Sequence, residues 1–497
     1  MSSDYEYIIV GGGTVGCVLA LSYLSCRLSG GSLRGWSPKL FCRDHEPNRG
    51  SHLRGTEAEY NWKTVPQPGH GNREIDTQNG KILSGSSGVN CGLWMRGHSA
   101  NYDAWASHVD RKHRDLHASR EVHGFDRPIS TFAGLRNYPL KTNVFNALRQ
   151  SGLKFNPDGN SGTPFGISLF TDNWKNNLRQ SAGLAYGLSQ TDVFTSTMVA
   201  REVIVCSGAI KSPQILTLSG RGPKEHLESF GIPTLSDLPF GQNLHDHISG
   251  SLFWKLRDPE NGLAIGSPNF NHPKYFTGMP FDWIATITVP DETLAPAAAA
   301  DGHSIDTLFG TGPRAHVEML TAYAPIASAG TLYRLPFDGT HIATPVILLL
   351  PPGRGQITLA STDAADDPII DPQYLSSEVD RAITRKEVRA AVCVMETSEA
   401  STFVEHETPP AGFPRLTSAS TDAEIDARLA YIGASFFQNA GTMAMGSVLE
   451  TDCKIKGIAA LRVCDASILP FPIASHYQTG IYGIAEATAD IILGNTS

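Results

Sequence analysis

Long apolar runs are missing from this chain of 497 residues: no stretch reaches the roughly 18 uninterrupted apolar positions a membrane helix needs. Runs of lysine and arginine are missing too. With 40 basic against 49 acidic side chains the net charge is −9, which argues against a nucleic acid or an anionic membrane as partner. The eight cysteines, at 17, 26, 42, 91, 206, 393, 453 and 464, form no CxxC and no regular spacing. Neither a metal site nor a disulfide framework is expected from them, and reduced thiols in a cytoplasmic protein are. The segment from Met1 to Glu6 has no basic stretch leading into an apolar core, so no secretory signal is read there. Internal repeats and low-complexity segments are absent as well.

What is present is an ordinary globular composition, 41% hydrophobic, with 48 glycines and 31 prolines that imply many loops. The length predicts two intimately joined domains, because single hydrophobic cores stop growing well below it. The N-terminus reads as strand, turn and helix: Tyr5 to Val10 is a buried-strand pattern, and a helix is set to begin about Cys17. Between them stands Gly11-x-Gly13-x-x-Gly16. In that context the first glycine permits the turn, the second admits a pyrophosphate against the backbone, and the third lets helix pack on strand. The helix N-terminus then offers unpaired N–H groups to the phosphate. Such a site ordinarily has an acid about 20 residues on to hold the ribose, for which Asp44 and Glu46 are the candidates. A second strand-turn-helix signal runs from Glu202 through Gly208, and Tyr482 to Leu493 has helical spacing. Short apolar runs such as Val346 to Leu350, broken by turns, predict a mixed sheet across about 250 to 420.

Five further motifs stand in order along the chain. They are Gly80-Lys81-x-Leu83-x-Gly85-Ser86-Ser87-x-x-Asn90, continued by Arg96-Gly97 and Asn101-Tyr102-Asp103-x-Trp105; Gly208-Ala209-Ile210-x-Ser212-Pro213-Gln214; Asn243-Leu244-x-Asp246-His247; Gly441-Thr442-x-x-Met445-Gly446; and Leu461-Arg462-Val463-x-Asp465-Ala466. Together they resemble the glucose–methanol–choline (GMC) oxidoreductases. The resemblance implies an α/β (α+β) flavoprotein with a Rossmann-like FAD-binding domain and a mixed-sheet substrate-binding domain. Residues 1–250 would form the FAD-binding domain, with substrate-domain insertions at about 110–190. Residues 251–430 would be mainly substrate-binding, and 431–497 would return to the FAD-binding domain.

Carried over by position, the resemblance puts Gly11, Gly13, Thr14, Val15 and Gly16 at the pyrophosphate of FAD, and Asn90, Cys91, Gly92 and Leu93 beside the isoalloxazine ring. Ala466, Tyr477 and Gln478 would close over the pyrophosphate and pyrimidine end, with Ser86 and Asp465 counted among the cofactor-binding residues. The family oxidises an alcohol by giving its hydroxyl proton to a histidine while hydride passes to the flavin. The position of the family's first histidine holds Gln438, which takes no proton at neutral pH but can orient a hydroxyl. The second position holds His476, which is therefore the expected base. His245 and His247 are expected to be structural and away from the chemistry.

Three stretches depart from the family pattern: about 22–50, the segment around Arg111 to Arg114, and the abrupt passage from Leu188 to Val199. The implied function is oxidation of a small organic alcohol, set in secondary metabolism. Oxygen and other electron acceptors both stay open. The alternatives are non-redox isomerisation or dehydration with His476 as acid and base, or an inactive remnant or mis-joined gene product.

Overall fold

The computed structural model describes residues 5–26, 55–108, 128–133, 137–175, 178–187, 200–276, 278–328 and 330–494. Asp44, Glu46, Arg111 to Arg114 and the passage 188–199 lie outside these residues. In chain order, the first elements that position the site are β1 (Tyr5–Val10), α1 (Thr14–Cys26), β2 (Gly166–Leu169), β3 (Ala200–Val205) and α2 (Gly208–Leu218). Then come β4 (Ile248–Leu256), β5 (Phe281–Ile287), β6 (Val317–Ala322), β7 (His341–Leu348) and α3 (Glu378–Met395). The last are β8 (Val404–Glu407), β9 (Ala434–Ser435), β10 (Leu461–Val463) and α4 (Tyr477–Leu493).

Two sheets organise these elements. The first is parallel, in the order β1-β3-β10, with Val10 opposite Val205 and Val463 opposite Val205 on the other side. Parallel neighbours need crossovers, so the sheet gathers strands from both ends and the middle of the chain. Its apolar side meets α1 and α4, where Val15, Val18, Leu19, Ile481, Tyr482 and Ala485 share one core. The second sheet runs β8-β4-β7-β6-β5-β2, with β9 added along β4, and each of its pairs is antiparallel. Helix α3 covers it with Val379, Ile383, Val388, Ala391 and Val392. Strands β4, β6 and β7 are buried almost throughout, and most of their residues are uncharged. Glu318 in β6 is the exception that matters, an acid 1% exposed within an apolar strand.

No helix among the described residues is long and apolar enough to cross a membrane. Among the described residues, Cys17, Cys206, Cys393, Cys453 and Cys464 are free thiols.

Candidate active site

The turn from β1 into α1 is too tight for side chains. A Cβ on Gly11 would lie 2.4 Å from the Cys206 carbonyl oxygen, and one on Gly16 would lie 2.0 Å from the Gly11 oxygen. On Gly13 it would meet only the Cys206 oxygen at 3.6 Å, so the backbone there stays approachable. The first intrahelical bond is from Cys17 N to Gly13 O (3.0 Å). The N–H groups of Thr14, Val15 and Gly16 therefore precede the ladder and form the positive end of the helix dipole. The loop after Gly80 is sewn to this turn: Ser84 N donates to Gly12 O (2.8 Å), and Thr14 Oγ1 donates to Ser84 O (3.2 Å). Gly85, at φ +54°, has room for no Cβ because the Gly13 Cα would lie at 2.8 Å. This glycine-lined cradle with outward N–H groups fits a dinucleotide pyrophosphate.

Several expected contacts take a different form. Val15 is 2% exposed and sends its side chain into the core, leaving only its backbone for a ligand. The Asp465 carboxylate is spent internally, accepting from Gly208 N (2.9 Å), Ser212 Oγ (2.6 Å) and Ser467 N (2.8 Å). It joins the start of α2 to the turn holding Ala466, whose carbonyl accepts from Gly441 N. Ser86 Oγ accepts from Gly80 N (3.2 Å) and so braces the loop.

The loop expected beside the flavin is held from two sides. Asn90 Nδ2 donates to Gln478 Oε1 (2.7 Å), Gln478 Nε2 donates to Leu93 O (2.8 Å), and Gly92 N donates to Asn90 Oδ1 (2.9 Å). Trp174 Nε1 donates to Cys91 O (3.2 Å), and the Arg179 guanidinium donates to the carbonyls of Gly88 and Asn90. Sequence reasoning missed Arg179 and Trp174, which lie more than 80 residues from the loop they clamp.

His476 is the N-cap residue of α4. Its Nε2 lies 2.7 Å from Glu318 Oε1, with the two residues 4% and 1% exposed. The Phe436 ring meets the imidazole edge-on at 5.4 Å. Behind Glu318, α3 carries Glu387, whose carboxyl is held well above the usual range by burial and by the neighbouring Glu318 charge. Gln438 turns its Oε1 to the helix, accepting from Tyr477 N at 2.9 Å, instead of devoting both ends of its amide to a substrate. His247 is not away from the site, as expected, but packs on Tyr477 at 4.6 Å between ring centroids. The structural role expected of it is consistent with its state, since burial lowers it to about 3 and keeps it neutral. His245 is likewise kept neutral by burial, and its Nδ1 accepts from the Tyr477 hydroxyl at 3.2 Å. Glu318 was also missed, though a lone acid within Val317 to Leu320 was a readable signal.

Family models described as GMC oxidoreductase match residues 5–186 and 176–249 for the N-terminal part, and 351–485 for the C-terminal part. The chain belongs to the GMC oxidoreductase family. Within the family it is 47% identical to the GMC-type oxidoreductase acuG of Aspergillus aculeatus, covering 99% of this chain and 100% of that one. It is 27% identical to pyranose dehydrogenase 2 of Leucoagaricus meleagris, over 98% and 93% of the two chains. The fold matches that of pyridoxine 4-oxidase from Mesorbium loti with a TM-score of 0.82 at 22% identity, over 99% and 100% of the chains. As a GMC oxidoreductase the protein binds FAD and is a FAD-dependent oxidoreductase, and the glycine cradle fits that cofactor.

Proposed function

We propose that this protein oxidises the hydroxyl of a small organic molecule to a carbonyl, with His476 as the base. The observation that carries the reading is the buried His476–Glu318 pair at the head of α4. Bound FAD supplies the acceptor for the hydride that leaves the carbinol carbon. The chain's own groups manage the proton. Glu318 accepts the Nε2–H of His476. That fixes the tautomer and leaves the lone pair on Nδ1, which takes the proton of the substrate hydroxyl. The imidazolium so formed is stabilised by Glu318 through a charge-assisted bond. Gln438, with its Oε1 on Tyr477 N, offers its Nε2–H groups to orient the hydroxyl oxygen.

Thr14, Val15 and Gly16 would hold the pyrophosphate through backbone N–H groups, and Asn90 to Leu93 with Gln478 would frame the ring. The division at about residues 250 and 430 belongs to the same proposal. Relatives named for the oxidation of pyranose and pyridoxine support a small-molecule alcohol, and a secondary-metabolite substrate remains part of the reading. The test is to mix the FAD-loaded protein anaerobically with a panel of primary and secondary alcohols and follow the visible flavin band. Bleaching is expected. His476→Ala should slow it by about 10²- to 10⁴-fold. Glu318→Gln should slow it by about 10- to 100-fold, the worth of a hydrogen bond to a charged group. A chain that holds no flavin, or a His476→Ala variant as fast as the parent, would overturn the proposal.

A further inference from the structure

The strand pair that carries the site loop is out of step by two residues. Ile248 pairs with Ser435, and His245 pairs with Ala440. Residues 436–439 must therefore span what Asp246 and His247 span on the facing strand. Phe436 N still reaches His247 O at 2.8 Å, after which the chain turns outward at Phe437, whose φ is +61°. A left-handed conformation is strained for a residue with a side chain and persists only where its surroundings enforce it.

Asp246 does the enforcing. It is 2% exposed, and its Oδ1 accepts from Gln438 N at 2.6 Å. Its Oδ2 accepts from Ser435 Oγ and from the Tyr374 hydroxyl, each at 2.5 Å. Ser435 Oγ in turn accepts from Phe437 N at 2.9 Å, so both amides of the outward turn are met. Burial pushes the Asp246 carboxyl up to about 6, which leaves it ionised at neutral pH and its bonds charge-assisted. The turn aims Gln438 at α4, where Oε1 accepts from Tyr477 N, one residue beyond His476. Hydrogen bonds and one peptide link thus run from Asp246 through Gln438 and Tyr477 to His476 and Glu318.

We infer that Asp246 is a positioning residue, which sets the His476 imidazole at one remove by holding the outward turn that delivers Gln438 to the head of α4. This rests on His476 being the base. Gln438 then has a mechanical task, accepting from the amide next to His476.

Hydrogen exchange read by mass spectrometry on the FAD-loaded full chain tests the strut without any substrate. Asp246→Asn should speed exchange in segments 436–440 and 474–480 by about tenfold, the equivalent of one weakened bond to a charged group, and leave β1 and β3 unchanged. Gln438→Ala should do the same at 474–480. The double variant should be no faster there than the faster single variant, because the two act in one line. Should Asp246→Asn fail to fold, Ser435→Ala, which removes one donor to the carboxylate, replaces it with the same expected pattern. Unchanged protection at 474–480, or additive effects, overturns the inference whether or not any alcohol reacts. With an alcohol that bleaches the flavin, Asp246→Asn should lower kcat and leave KM in place. Loss of thermal stability with kcat per flavin unchanged would mark Asp246 as merely structural and overturn the inference.

Discussion

Glu387 is a carboxyl 2% exposed, with an Oε1 that has no hydrogen-bond partner among the described residues. Its cost is visible in its titration: burial first, then the charge on Glu318, hold it well above the ordinary carboxyl range. A group whose folded value is raised contributes stability that is fully present below its unfolded value, about 4.3, and lost as pH rises toward the folded one. Glu387→Gln keeps the shape and removes the titration. The variant's stability relative to the parent should therefore grow with pH above about 4.3, by up to ~1.4 kcal/mol per pH unit. Denaturant unfolding at pH 5 and pH 8 would read this, and an equal difference at both would refute it.

Among the elements, α1 and α4 share a core but tolerate change differently. Gly16 in α1 stands with an added Cβ 2.0 Å from the Gly11 oxygen, a backbone atom that cannot step aside. Gly16→Ala should push α1 off the cradle, and the purified protein should carry a lower ratio of flavin to protein absorbance. Gly483 in α4 is exposed, with nothing within 4 Å of an added Cβ. Gly483→Ala should stabilise the fold by roughly 0.5–1 kcal/mol through helix propensity, with flavin content unchanged. Two glycine-to-alanine changes of opposite sign would place the cradle's demand in the turn and not in the helix pair as a whole.

On the scale of the molecule, the proposed FAD site would draw on distant segments of the chain: the turn after β1, the loop 80–93, and the head of α4. A ligand that bridges such distant segments in the folded state alone raises stability by RT ln(1 + [L]/Kd), about 2.7 kcal/mol at a hundredfold excess over Kd. The midpoint of thermal unfolding should therefore climb with added FAD and fall when the flavin is stripped. A midpoint indifferent to FAD would mean that the cradle does not close on it in the folded protein.

The local parts of this fold were legible in the residues. Six apolar-rich positions before Gly11 form β1, the glycines that follow form the turn their spacing requires, and the regions around 202–208 and 482–493 became β3, α2 and α4. Each depends on side-chain periodicity and on φ values that neighbouring residues set, so a short window of sequence determines it. The working arrangement of the site was decided by the tertiary structure. His476 meets Glu318 across 158 positions of chain, and Asp246 meets Gln438 across 192. Which carboxylate faces a ligand and which is spent indoors, as Asp465 is, depends on the partners that folding brings within hydrogen-bond reach. The motif of Asp246 could be seen in the sequence, but its purpose follows from a two-residue mismatch between paired strands, a property of register that neither strand holds alone.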